Sequence, residues 1–256
     1  MSKKGLTHFI MPDTQVKHGV RLDHFEWAGR WCAEKKPDRI IHIGDFADIE
    51  SLSTWDRGTM KHEGARYKKD VAACRKALEL FFAPIRAEMK RVPTWKPTFD
   101  ITLGNHENRI NRAVNADATL EGVISVDDLG FEEFGFRVHE FLKVIVREGV
   151  AYSHYFTSGS KGMPVTSARA LAMKKHMSCV MGHTQATEID VSQKRGDGKR
   201  ITGLFAGGFY QHEEDYLGHQ GNEMKHQCWM LYNVKDGEFD LHCLPLSYLK
   251  ERYART

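Results

Sequence analysis

The chain has 256 residues, of which 37 Lys and Arg face 34 Asp and Glu for a formal charge of +3. That length suits one large α/β domain or two small ones and can bury a core without staples, and a single domain over 1–256 is favoured. So small a charge surplus selects no polyanionic partner, and no stretch approaches the roughly 18 uninterrupted apolar residues of a membrane span.

Leu6 to Met11 reads as a buried strand; it follows a start with two lysines but is too brief an apolar run for a signal peptide, so a cytoplasmic location is expected. Residues 19 to 35 place Val20, Phe25, Trp27, Trp31 and Cys32 on one helix face. Arg39 to Ile43 is the next strand. A long helix spans about 65 to 91, with Val71, Cys74, Leu78, Phe81 and Phe82 on its apolar side and Pro84 as a kink or an interruption. Thr98 to Leu103 is a third strand, so the opening half alternates strand and helix as a parallel sheet requires. Between 110 and 140, Asp127-Asp128-Leu129-Gly130 with Phe131, Phe134 and Phe136 reads as packing in preference to a cover over a site. Further strands are expected at about 142–147, 149–153, 178–181, 186–192, 200–206, 228–234 and 238–243, with one clear helix near 164–176. Residues 194–198 and Lys235-Asp236-Gly237 read as hairpin turns. Five cysteines, at 32, 74, 179, 228 and 243, form an odd set without a C-x-x-C pair, which speaks for reduced thiols.

Five short motifs each follow one of these strands: Asp13-Thr14-Gln15, Gly44-Asp45-Phe46-Ala47-Asp48, Gly104-Asn105-His106-Glu107, Ser153-His154 and Gly182-His183-Thr184-Gln185. Singly, Gly-Asp and Gly-His pairs are ordinary strand-end turns. Together they offer carboxylate, amide oxygen and imidazole, the ligand types that hold paired divalent ions for phosphoryl displacement.

In this series, from Asp13 to Gln185, the chain resembles the calcineurin-like metallophosphoesterases, among them small phage and bacterial phosphoesterases and DNA repair nucleases. The resemblance implies an α/β fold, a four-layer αββα sandwich of two mixed sheets flanked by helices. It implies that Asp13 and residue 15 bind a first ion, that Asp45 bridges two ions, that Asn105, His154 and His183 complete the second, and that residue 185 returns to the first. His106 is then the general acid, oriented by Asp48, and a hydroxide held between the ions attacks. His139 and His176 compete with His154 for its role but follow no apolar run so directly.

The pattern departs from the family where it commonly has Asp-x-His and Gly-His-x-His, since Gln15 and Gln185 stand at those positions. If both amides ligate, the first site holds oxygen donors alone, which suits Mn²⁺ or Mg²⁺ and makes the first ion the weaker bound. The alternative is that neither amide binds metal. Arg109 faces either the phosphate or a neighbouring acid such as Glu107. Asp48 doubles as a helix cap, Glu107 favours the start of the next helix, and His42 is buried and hydrogen-bonded.

Phosphoprotein phosphatases and dinucleoside polyphosphatases of the family carry arginine directly after the second Asp of Gly-Asp-x-x-Asp. Here Ile49 stands there, which favours a phosphodiesterase acting on a nucleotide, DNA or RNA over a phosphomonoesterase. The stretch from Phe46 to Tyr67 holds Trp55, Arg57, Lys61, His62 and Arg66, with Lys68 and Lys69 beyond. It reads as a solvated loop or, slightly less well, as a nucleic-acid track. Phe205-Ala206-Gly207-Gly208-Phe209-Tyr210 brings backbone near the site, with Phe209 or Tyr210 against a base or sugar, or forms a simple strand-end turn. A scaffold that has lost turnover and binds a protein partner is the competing class.

Overall fold

The computed structural model describes residues 5–56, 58–193, 196, 198–214 and 218–254, with the backbone alone at 61 and 221. The first half runs β1 (Leu6–Met11), α1 (Asp23–Lys35), β2 (Arg39–His42), α2 (Tyr67–Arg91), β3 (Thr98–Thr102), α3 (Asn108–Ala116), α4 (Phe131–Phe134) and β4 (Arg137–His139). The second half runs β5 (Ile145–Arg147), β6 (Val150–Tyr152), β7 (Thr157–Ser158), β8 (Met163–Pro164), α5 (Ala168–Lys175), β9 (Cys179–Met181), β10 (Thr187–Gln193), β11 (Arg200–Ala206), α6 (Gly218–Asn222), β12 (Gln227–Lys235), β13 (Glu238–Pro245) and α7 (Leu246–Tyr253).

One sheet has the order β13-β12-β1-β2-β3-β4 and the other β10-β11-β9-β6-β5. The β1, β2, β3 and β4 strands are mutually parallel, and β12 joins β1 antiparallel. In the second sheet β6, β9 and β11 run parallel, with β5 and β10 antiparallel at the edges.

Strand alternation sorts the core into three layers of contact. Phe9, Met11 and Ile40 point to one side and meet Phe25 and Ala28 of α1, Leu78 and Phe81 of α2, and Leu249 of α7. Ile10 and Ile41 point to the other side, where they meet Tyr152, Val180 and Leu204 of the second sheet. Ala151, Cys179, Met181 and Phe205 face outward from that sheet against Ala168 and Leu171 of α5. The fold is therefore α/β, helices over sheet over sheet over helix, as the resemblance implied.

Several details differ from expectation. Pro84 lies inside α2 without interrupting it. The helix survives because it is packed closely on α1: a Cβ at Gly29 would stand 2.2 Å from the Phe81 carbonyl oxygen and 2.8 Å from the Pro84 ring. The second half carries α7 and the short α6 besides α5, and a short hairpin of β7 and β8. The segment 110–140 also hides a strand, β4, whose three residues are too few for a visible alternation. Its phenylalanines do pack, with Phe82 contacting Phe134 and Phe136 and Phe46 contacting Phe131. Of the basic and turn positions singled out, Arg57, Lys194, Arg195 and Asp197, with the Lys61 side chain, lie outside the described residues. No helix among the described residues is long and apolar enough to cross a membrane.

Candidate metal centre

Parallel strands point their carboxyl ends the same way, and ligands gather beyond those ends. Asp13, Asp45 and Asn105 follow β1, β2 and β3, while His154 and His183 follow β6 and β9. The two sheets thus deliver the five motifs to one edge of the sandwich. One carboxylate oxygen of Asp45 and one ring nitrogen each of His154 and His183 lie within 4.8 Å of one another. Nε2 of His154 and Nδ1 of His183 each stand 2.9 Å from Oδ1 of Asn105.

The His154 ring is oriented by its other nitrogen, which donates to the Ile43 carbonyl at 3.0 Å. With Nδ1 protonated, the Nε2 lone pair of a neutral ring faces the Asn105 oxygen and Asp45 Oδ2 at 3.4 Å. Lone pairs set against one another ask for a proton or a cation between them. The charge balance agrees. Burial works against a charged His154, yet Asp45 and Asp13 outweigh it and push it up to about 9. Asp13, wholly buried, is pushed upward by burial with Asp45 adding repulsion, although His154 opposes them. Burial drives His183 down to about 4, so it offers a neutral imidazole, the form that ligates.

At the first site the picture is less complete. Asp13 already accepts from the His183 backbone N–H at 2.9 and 3.1 Å. Gln15 is fully buried, its Nε2 donates to Asp45 Oδ2 at 3.2 Å, and its Oε1 has no hydrogen-bond partner. An orphaned buried amide oxygen suits an oxygen-seeking cation. Gln185 is held differently, since its Oε1 accepts from the Tyr210 hydroxyl at 2.5 Å. Tyr210 is 1% exposed and packs against His226. The segment that carries it approaches the site through the bridge of Asp13 with Gly208.

His106 Nδ1 donates to Asp48 Oδ1 at 2.6 Å, and its Nε2 lies 3.7 Å from Asp45 Oδ2. Burial opposes its charge, but Asp45 and Asp48 together raise it to about 9. Asp48 makes no cap: Ile49 takes the N-cap position of the short turn that follows, and no side chain caps it. Arg109 Nη1 donates to the Asp48 carbonyl at 2.7 Å and to its Oδ1 at 3.1 Å. Its acidic partner is therefore Asp48 and not Glu107.

Glu107 stands at the start of α3, as expected, but its side chain is engaged elsewhere. Fully buried, it caps nothing in α3 and instead accepts from the backbone N–H of Gly104, Asp45 and Ala47, at 2.7, 3.1 and 2.8 Å. It pins the Asp45 loop to the Asn105 loop. Gly104 allows that approach, for a Cβ there would stand 2.0 Å from Asp45 Oδ1. His42 is buried as expected, with Nε2 3.2 Å from the Thr14 hydroxyl. His139 pairs with Asp100 and His176 ends α5, so neither enters the site.

Sequence reasoning passed over Lys17. Its ammonium binds the buried Glu214 at 3.0 Å and lies 3.5 Å from Glu50 and 4.0 Å from Asp48. Its place two residues after Gln15 was the available signal. The backbone is also unusual here, with Gln15, Asp45, Ile49, His183 and Gln185 at φ of 44°, 50°, 52°, 68° and 56°. Beside the centre, a cavity of about 450 Å³ is lined by Asn105, Arg109, Arg112, Asn115 and Trp55, among others.

No family model matches the chain. It is similar to the gene 54 protein of Mycobacterium phage L5, 28% identical over 192 residues that cover 70% of this chain and 69% of that protein. It is also similar to the gene 54 protein of Mycobacterium phage D29, 29% identical over 100 residues, where it spans 35% of the relative's length. Among solved structures it is similar to YfcE, a phosphoesterase from E. coli, at 15% identity and a TM-score of 0.40, covering 93% of this chain and all of that one. A dimetal phosphatase from Danio rerio aligns at 10% identity and a TM-score of 0.46, covering 95% of this chain and 97% of that one.

Proposed function

We propose that this chain is a metal-dependent phosphodiesterase that holds two divalent ions at the edge shared by its sheets. One observation carries the reading: Asp45, Asn105, His154 and His183 converge within ligating reach while Asp48 holds His106 beside them. A scaffold needs the first group less and the second not at all. Asp45, Asn105, His154 and His183 form the tighter site. Asp13, Gln15 and Gln185, with Asp45, form a weaker one of oxygen donors, for which Mn²⁺ or Mg²⁺ is the fitting ion.

When bound, such ions supply Lewis acidity and an activated water. The chain's own residues do the rest. Asp48 fixes the His106 tautomer through Nδ1, leaving the Nε2 proton to be given to the leaving oxygen. Arg109 steadies Asp48 through its backbone and side chain, which keeps the imidazole from rotating. Ile49, fully buried, leaves no cation at the position where family members that act on phosphoproteins carry one, which supports the diester reading.

The test is hydrolysis of bis(p-nitrophenyl) phosphate against p-nitrophenyl phosphate after metal stripping, with Mn²⁺, Mg²⁺, Ni²⁺ or Zn²⁺ restored. Diester turnover with Mn²⁺ that is lost in His106→Ala and Asp45→Ala is expected. Preference for the monoester would replace the reading with a phosphatase, and no turnover with any ion would bring the scaffold forward.

A further inference from the structure

The cavity beside the candidate metal centre is built differently from the centre itself. Among the described residues, its lining contains two guanidinium groups, Arg109 and Arg112, and no carboxylate. Both project from α3, the helix that begins just after Asn105 and His106. Residues three apart share a helix face, and Arg112 lies about 4.5 Å further along the axis than Arg109. Arg109 is committed to Asp48, whereas Arg112 is exposed and makes no hydrogen bond or ion pair among the described residues. Trp55, 88% exposed and the largest side chain left in solvent, lines the same cavity. Asn115 adds an amide that both donates and accepts.

A flat indole, an uncommitted cation and an amide lining one cavity match the parts of a nucleotide. A base stacks on an exposed aromatic, and a phosphate pairs with a guanidinium. Lys69 and Arg66, which the sequence offers as a basic track, are turned to nearby backbone carbonyls and do not line the cavity. We propose that this cavity is a nucleotide subsite: Trp55 stacks the base next to the scissile phosphodiester, and Arg112 takes the following phosphate of the strand. The substrate is then an oligonucleotide, and the subsite rests on the phosphodiesterase reading.

Binding is measured apart from turnover, by fluorescence anisotropy of fluorescein-labelled decathymidylate and decauridylate on the full chain in EDTA. Wild type should bind, and Trp55→Ala and Arg112→Ala should each weaken binding at least about fivefold, the low end of what one stacked base contributes. Arg112→Ala should also lower the salt slope by about one phosphate contact. The DNA and RNA arms tell which sugar is accepted. With Mn²⁺, both variants should raise KM for the oligonucleotide yet leave methyl p-nitrophenyl phosphate, which has no base or second phosphate, within about twofold. Circular dichroism checks that the surface variants keep their fold. Oligonucleotide binding that is absent, or equal in all three proteins, overturns the subsite while leaving hydrolysis of the small diester intact. If the small diester is inert with every ion but binding still depends on Trp55 and Arg112, the phosphodiesterase reading fails and the nucleotide site stands.

Discussion

Removing the Glu107 carboxylate separates two accounts of that residue. As a favourable charge at a helix start, it is worth about 0.3–1 kcal/mol. As the acceptor for the amides of Gly104, Asp45 and Ala47, its loss strands three buried donors. Each costs about 1–3 kcal/mol, so with water entering the space Glu107→Ala should destabilise by roughly 4 kcal/mol. Glu107→Gln keeps the shape but turns an NH₂ toward one donor, and should cost about 1–3 kcal/mol. Urea unfolding followed by tryptophan fluorescence, in Mn²⁺ and in EDTA, reads both. The effect extends to chemistry, because His106 N–H donates to Asp45 Oδ1 across the same junction. Diester turnover should therefore fall in Glu107→Gln even where folding is retained. A Glu107→Ala protein within about 1 kcal/mol of wild type would refute the pinning role.

His106→Ala should reduce diester turnover about 10²–10⁴-fold with metal content unchanged, measured by steady-state rates beside elemental analysis. Asp48→Asn should reduce turnover less, and shift its pH profile, because the imidazole loses its orienting anion. Gln15→His with Gln185→His should tighten the first ion and favour Zn²⁺ or Ni²⁺ over Mn²⁺, visible as stoichiometry in calorimetric titration. Burial, opposed by Glu148, lowers His8 from its ordinary 6.5 to about 4. The unfolded chain therefore takes up the proton first, and stability falls as pH drops from about 6.5 toward 4. Between pH 7 and 5 this amounts to about 2 kcal/mol, so the unfolding free energy of His8→Gln from urea titrations should depend on pH by that much less than that of wild type.

Motifs at strand ends were readable because each pairs a short buried strand with polar residues of defined chemistry. Asp13, Asp45, Asn105, His154 and His183 announce themselves this way, and so do β1, β2 and β3. What escaped depends on partners distant in the chain. Glu107 looks like any acid before a helix until the Asp45 loop is folded over it. Lys17 gains meaning from Glu214, nearly 200 positions away, joined at 3.0 Å. β4 and α7 were missed because three residues cannot display a period and because Pro245, which ends β13 directly before α7, was not read as a helix start. Arg112 was invisible for a different reason: an unpaired arginine is defined by what does not surround it, and sequence records only neighbours in the chain.

The left-handed backbone at Gln15, Asp45, Ile49, His183 and Gln185 divides the molecule's interests. Non-glycine residues held there cost of order 1–3 kcal/mol each, and they persist only because the sheets beneath over-determine them. Cohesion generated between Ile10, Ile41, Val180 and Leu204 is in this sense spent at the rim. Asparagine or glycine at residue 15 or 185 would relax the loops and make the ion-free protein harder to unfold. The same change would let the donors wander. Selection for heat resistance and selection for turnover should accordingly pull these positions in opposite directions, while substitutions in α1 or α5 leave the two uncoupled.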